Sequence, residues 1–294
     1  MRIGHAVSEL LRYTEMMTPD EKFNTSPGLS QQAENILLAN RALKVSRHKM
    51  YISPDGHRVD LQEMIKHSQH GKVSIPPWRT LPEIPSDVHE DTKIEVVCET
   101  TLRAARRLYN EGEMPMALNF ANGFQPGGGF LLGANTQEES LCRCSALYLT
   151  LLGDGMYTWH SKTGSPDFSN WAILSPEVPV FANEQGKFET NPWTLGILTS
   201  AAPVATEENK LHCATLMRSR IDRLLHIAVH HGYGSLVLGA WGCGTFGNDP
   251  HLIAKAFHEC LYGRFKGLFD RIVFAIVDDV PEYPCFEAFL GKFS

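Results

Sequence analysis

The chain has 294 residues, 43% of them apolar, which is enough for one large domain or two modest ones with a substantial core. Its net charge of -6 argues against holding nucleic acid by bulk electrostatics, so no bulk nucleic-acid binding is expected. Residues 1–16 mix charge into their apolar positions and lack the h-region of a signal peptide, and no run approaches spanning length, so a cytoplasmic protein with no membrane partner is expected.

Residues 1–90 are polar with helical patches. Residues 33–43 have helical periodicity, and residues 48–65 read as strand, Pro-Asp-Gly turn, strand and helix. The proline-rich stretch 74–87 reads as a linker. The first 90 residues are therefore expected to form a mostly helical accessory extension without a large core of its own. From Thr92 onward apolar strands alternate with helices: "KIEVVCET", the helix "TLRAARRLYNEG", "PMALNFAN", a glycine stretch, and one helix over "QEESLCRCSALYLTLL". The strands "WAILSPEVPVF" and "TLGILTSAAPV" follow, then a long helix, the strand "GSLVLGAW", a helix from Pro250 and the strand "RIVFAIVDD". Residues 236–240 and 272–277 are continuously apolar, as in strands covered on both faces, which predicts an α/β sandwich. The seven cysteines are scattered without paired spacing and the histidines form no HExxH pattern, so free thiols, no metal and no cofactor are expected.

Two glycine-rich segments follow strands, where α/β folds collect ligands, and the two are expected to share one ligand. The second contains G-x-G-x-x-G at Gly242, Gly244 and Gly247, but Asn248 and Asp249 are N-cap residues with Pro250 at N1, so the helix starts after the third glycine. The acids of the next strand, Asp278 and Asp279, also come too late for a dinucleotide fold. The loop reads either as a nest of amides for phosphate or as a turn with no ligand. The first segment sets Gly127, Gly128 and Gly129 ahead of Thr136-Gln137-Glu138-Glu139. That tetrad is a capping box, which accounts for Glu139 without catalysis; it accounts less well for Glu138 and not at all for three bare residues. Capping and catalysis both stand at this point, and Glu139 folded back onto the Thr136 amide would favour capping.

Together, "LNFAN…PGGGF…QEESLCRCSALY" and "LVLGAWGCGTFGNDP" resemble the microbial type of poly(ADP-ribose) glycohydrolase, a macrodomain enzyme, over roughly residues 90–280, with "HKMYISPDGHRVDL" similar to the extension ahead of it. The resemblance implies a macrodomain-like three-layer α/β/α sandwich with a mixed sheet over residues 91–294, preceded by the extension. It implies metal-independent hydrolysis of poly(ADP-ribose) or ADP-ribosylated macromolecules, with ADP-ribose as product and exo cleavage favoured. By resemblance Glu139 is the general acid and then base, and Glu138 holds ribose hydroxyls. Gly127 to Gly129 and Gly242, Cys243, Gly244, Thr245, Phe246 and Gly247 wrap the diphosphate, with Phe246 against the ribose. Asn119 and Gln137 complete the substrate contacts, and Glu99 or Thr100 reads the adenine. Gln125, Ala182 and Val204 depart from the family pattern and bear on how the ribose and any further chain are held. A reader module that binds ADP-ribose without cleaving it, or a mono-ADP-ribosyl hydrolase, shares most of these residues. Arg143 is expected to pair with Glu139 one turn away, and Trp241 to pack beneath its loop.

Overall fold

The computed structural model describes residues 30–84, 91–278 and 280–294. The expectations for residues 1–16, for the end of the proline-rich stretch and for Asp279 lie outside them. Helix α1 (Gln31–His48) starts where the Ser30 hydroxyl accepts from the Ala33 amide and ends on left-handed Lys49. The antiparallel hairpin of β1 (Met50–Ile52) and β2 (Arg58–Asp60) follows, then α2 (Gln62–Gly71), in the order expected of residues 33–65.

The linker reading is corrected at its start. Strand β3 (Val73–Ile75) pairs antiparallel with β6 (Ala172–Ala182) at one edge of the main sheet. The ladder stops at Pro76 and Pro77 because proline has no N–H to donate. Next come β4 (Lys93–Val97), α3 (Thr101–Asn110) capped by Thr100, β5 (Met116–Phe120), and a 3-10 turn at Phe130–Leu132 inside the glycine stretch. The single helix expected over residues 137–152 is instead α4 (Gln137–Cys144) and α5 (Leu147–Leu151). Between them Ser145 is extended and bridges to Val180, while its hydroxyl donates to the Leu141 carbonyl at 2.7 Å. A serine that can satisfy backbone groups locally makes such a break inexpensive. Helix α6 (Gly155–Thr163), capped by Asp154, was not foreseen. The remaining elements are β7 (Phe188–Ser200), α7 (Lys210–His230), β8 (Ser235–Leu238), α8 (Pro250–Leu261), β9 (Arg271–Ala275) and α9 (Pro284–Phe293).

The main sheet is mixed, seven strands in the order β3-β6-β7-β5-β8-β9-β4, with β5 parallel to both β7 and β8, and β9 parallel to β8 and β4. Alternation along the strands sorts its side chains. Met116, Leu118, Leu236, Leu238, Ile272 and Phe274 share a core with Leu224 and Leu225 of α7 and Ile253 and Phe257 of α8. Ala117, Val237 and Val273 alternate with them, are fully buried, and lie on the face where α3 packs against β5, β8 and β9. The result is the helix, sheet, helix layering of an α/β sandwich.

By contacts the chain divides into two compact units, and β6 and β7 contribute residues to both. The first comprises residues up to 72 with 125–152 and 175–194; the second comprises 73–124, 153–174 and 195–294. The first has a small core in which Ala42, Val45, Tyr51, Leu61 and Ile65 of the N-terminal segment join Ala146, Phe181 and Ala182. Among the described residues no helix is long and apolar enough to cross a membrane.

Candidate active site

In the first unit the triple glycine and the paired acids meet. Gly128 has φ +56°, and a Cβ there would lie 2.3 Å from Glu139 Oε1 and 3.1 Å from Glu138 Oε2. Both carboxylates thus occupy the space a side chain would take, and the left-handed backbone independently disfavours one. The Gly129 amide donates to Glu139 Oε1 at 2.9 Å, and the Thr136 amide and hydroxyl donate to Oε2, the amide at 3.0 Å. The capping box is therefore formed, with Glu139 folded back onto the Thr136 amide as the capping reading expects, and the same carboxylate also fastens the glycine loop to the start of α4. Glu138 is 1% exposed and Glu139 6%, while Gln137, the first residue of the helix, is half-buried.

The expected Arg143–Glu139 ion pair is not formed. Arg143 donates to the Ala134 carbonyl and to Asn135 Oδ1, each at 2.6 Å, closing the loop ahead of the helix. Glu139 is already held by nearer donors, so the arginine serves the loop's orphan acceptors instead. Burial, the main cause, lowers the Arg143 pKa from its ordinary value. Burial likewise raises that of Cys144 to about 12, so this thiol stays protonated.

Helix α1 braces the loop from outside. Asn35 donates to the Gly133 carbonyl at 3.2 Å and Gln32 to the Leu132 carbonyl at 3.1 Å. Gly133, at φ +81°, sits so close that a Cβ would meet the Gln32 carbonyl oxygen at 2.4 Å.

The second unit holds the other loop. Asp249 caps α8, accepting from the His251 and Leu252 amides, with Pro250 at N1, as expected. Asn248 instead pins both ends of the turn, its amide group donating to the Pro203 carbonyl at 2.8 Å and the Gly242 carbonyl at 3.1 Å. Gly247 donates to the Gly244 carbonyl, whereas the amides of Gly244, Thr245 and Phe246 have no acceptor among the described residues. Three adjacent amides without acceptors are what a phosphate nest requires. Cys243 is half-buried, and Trp241 is fully buried in the core cluster against which Cys243 and Phe246 pack.

Phe246 stacks on Phe168 with centroids 6.0 Å apart, and Phe168 meets Phe124 edge-on at 4.8 Å. Phe168 stands at φ +55°, a conformation that costs about 1–3 kcal/mol for a bulky residue and persists only where its surroundings enforce it. They do so here. Arg220, 2% exposed, donates to the carbonyls of Ala201 and Asp167 and to Asn170 Oδ1. His160 links the Gly123 carbonyl, at 2.9 Å, to the Ser169 hydroxyl, at 2.7 Å.

A model of the microbial-type PARG catalytic domain matches residues 39–183. The crystal structure of poly(ADP-ribose) glycohydrolase (PARG) from Thermomonospora curvata is 36% identical, with a TM-score of 0.83 over 88% of this chain and 99% of that one. The chain belongs to the microbial-type PARG family. The Thermomonospora PARG bound to the inhibitor ADP-HPD matches with 35% identity and a TM-score of 0.81, over the same 88% and 99%. PARG from Deinococcus radiodurans in complex with ADP-ribose is 32% identical, with a TM-score of 0.70 over 80% of this chain and 98% of that one. No curated protein matches the chain.

The matched PARG segment carries the triple glycine and both acids and ends ahead of the Gly242–Gly247 loop. Asn119 is fully buried on β5, its amide donating to Thr199 Oγ1 at 3.1 Å across to β7. Thr100 caps α3 through the Arg103 amide, and Glu99 lies 3.5 Å from Arg107. Among the described residues no group of three or more potential metal ligands is present. Sequence reasoning missed Phe168, Phe124, Arg220 and His160 in this PARG chain. "SPDFSN" carries a turn signal, but neither the positive φ nor the partners 50 residues away are visible in it.

Proposed function

We propose that the protein is a poly(ADP-ribose) glycohydrolase, hydrolysing ribose–ribose O-glycosidic bonds to release ADP-ribose. The observation that carries this reading, beside family membership, is the seating of two buried adjacent carboxylates against Gly128, which has no side chain; the bonds from Thr136 to Glu139 are those of the cap and count for capping. A reader module needs amides for phosphate but has no use for paired buried acids, which cost desolvation free energy.

In the proposed mechanism Glu139 gives its proton to the ribose oxygen that leaves as the bond to the anomeric carbon breaks. It then takes a proton from the water that attacks that carbon. Both oxygens of Glu139 accept hydrogen bonds in the structure, so to carry the proton it must release one of them from Thr136 or Gly129. Glu138, one residue away on the same turn, holds the hydroxyls of the ribose. Adjacent positions do not set two carboxyls across a sugar as ordinary glycosidases do, so one group serves as acid and then base. The glycines at 127–129 let the diphosphate approach, and the amides of Gly244, Thr245 and Phe246, within the Gly242–Gly247 loop that includes Cys243, hold its oxygens. Phe246 packs on the adjoining ribose, and Glu99, Thr100, Asn119 and Gln137 complete the contacts. No metal takes part. Cleavage from the chain end, action in the cytoplasm, and a division into an accessory extension over residues 1–90 and a macrodomain-type catalytic part over 91–294 belong to the same proposal.

The test is release of ADP-ribose from the polymer and from mono-ADP-ribosylated proteins by the unmodified chain and by Glu139→Gln. The substitution is expected to lower kcat by about 10² to 10⁴. Polymer binding without release by the unmodified chain would establish the reader; release only from the mono-modified protein would establish the other hydrolase. A variant retaining most activity would leave Glu139 with its capping role alone.

A further inference from the structure

In the second unit the proline-rich stretch and α7 enclose a surface pocket of about 260 Å³, lined by Trp78, Arg79, Leu81, Asp222, Arg223 and His226 among others. Trp78 is 62% exposed although its ring is held 5.1 Å from Trp159 and 5.2 Å from Trp171. Trp171 is buried and anchored through its indole N–H to Ser74 Oγ at 2.8 Å. An indole so ordered yet left in water contributes little to the core and presents a rigid aromatic surface.

The charges around it are unbalanced. Arg223 donates to the carbonyls of Pro76 and Arg79 at 2.7 and 3.1 Å, while its Nε is buried and has no acceptor among the described residues. Arg79 is exposed and has no carboxylate partner among them. The pocket's one acid, Asp222, is taken by Arg264 at 2.5 Å. His226 is held by the Pro82 carbonyl and Arg264, at 2.6 and 3.3 Å, and burial keeps it neutral. In a chain of net charge -6, two cations without a carboxylate partner beside an exposed indole mark a place for an anion that carries an aromatic ring.

We propose that this pocket binds a nucleotide unit, a purine stacked on Trp78 with its diphosphate at Arg79 and Arg223, and that the ligand is an ADP-ribose unit of the polymer other than the one being cleaved. The proposal rests on the polymer-hydrolysing reading, since every unit of that polymer repeats the same base and diphosphate. Stacking of a base on an aromatic ring tolerates any unit in register, and a second point of attachment raises the affinity of longer chains through effective concentration.

The test uses the exposed residues, as W78A and R79E. Binding of end-labelled poly(ADP-ribose) is followed by stopped flow before turnover, binding of free ADP-ribose by calorimetry, and release of ADP-ribose from short oligomers at steady state. Polymer affinity is expected to fall about tenfold in each variant, with ADP-ribose affinity and oligomer hydrolysis unchanged. Equal polymer affinity in all the proteins would overturn the pocket, and a matching loss for free ADP-ribose would overturn the polymer as its ligand. If no protein releases ADP-ribose from any substrate, the hydrolase reading fails, while the binding comparison still decides the pocket.

Discussion

Gly128 is the residue on which the acid pair depends. Its missing side chain is replaced by the oxygens of Glu138 and Glu139, so alanine there meets both carboxylates and a left-handed backbone together. G128A is expected to lose about 1–3 kcal/mol of stability in chemical denaturation, from backbone strain. Its kcat is expected to fall more than tenfold as Glu139 is displaced from the Gly129 amide; wild-type kcat in a folded G128A protein would mean that the seating of the acids is immaterial. The capping box and the candidate acid were separate explanations of one glutamate in the sequence. In the structure they use the same carboxylate, one oxygen toward Thr136 and the other toward Gly129.

At the scale of elements, α1 supports α4 and the 3-10 turn of the glycine stretch. Asn35 is 3% exposed, and its bond to the Gly133 carbonyl spans nearly a hundred residues of sequence. N35L keeps the volume but leaves that carbonyl without its donor, which is expected to cost about 1–3 kcal/mol in thermal unfolding. It should also lower kcat several-fold with little change in KM, because the disturbed loop carries the acid; unchanged kcat would confine α1 to a packing role. The elements themselves were largely legible. Continuous apolar runs at β8 and β9 and the Asp249–Pro250 start of α8 were read from local pattern. The break at Ser145 and the pairing of β3 were not, because each depends on a partner distant in sequence, Val180 and β6 respectively; the Asp154 cap that starts α6 is a local signal and was passed over.

For the whole molecule, pH acts through buried histidines. Burial holds the pKa values of His160 and His226 below the usual 6.5. The unfolded chain then binds protons first as pH falls, so the stability these groups contribute is full above about pH 6.5 and is lost progressively below it. The thermal midpoint is expected to drop between about pH 7 and 5, and to drop less steeply in H160N, whose asparagine keeps a donor near Gly123 but cannot charge. Equal slopes would remove His160 from the account. A fragment of residues 91–294 is expected to be inactive and to expose apolar surface by dye binding, since Ala146, Phe181 and Ala182 share their core with the N-terminal segment. An active, well-folded fragment would instead make that segment dispensable. The sequence by itself determined the α/β class, the glycine and acid motifs and the family they point to, because periodicity, caps and short motifs are local properties of a chain. Only the tertiary structure decided what the glycines make room for, which donors hold Glu139, and that Arg220 and His160 enforce the strained Phe168. Those outcomes depend on which distant groups first fill a given space or satisfy a given hydrogen bond, and no local pattern encodes that competition.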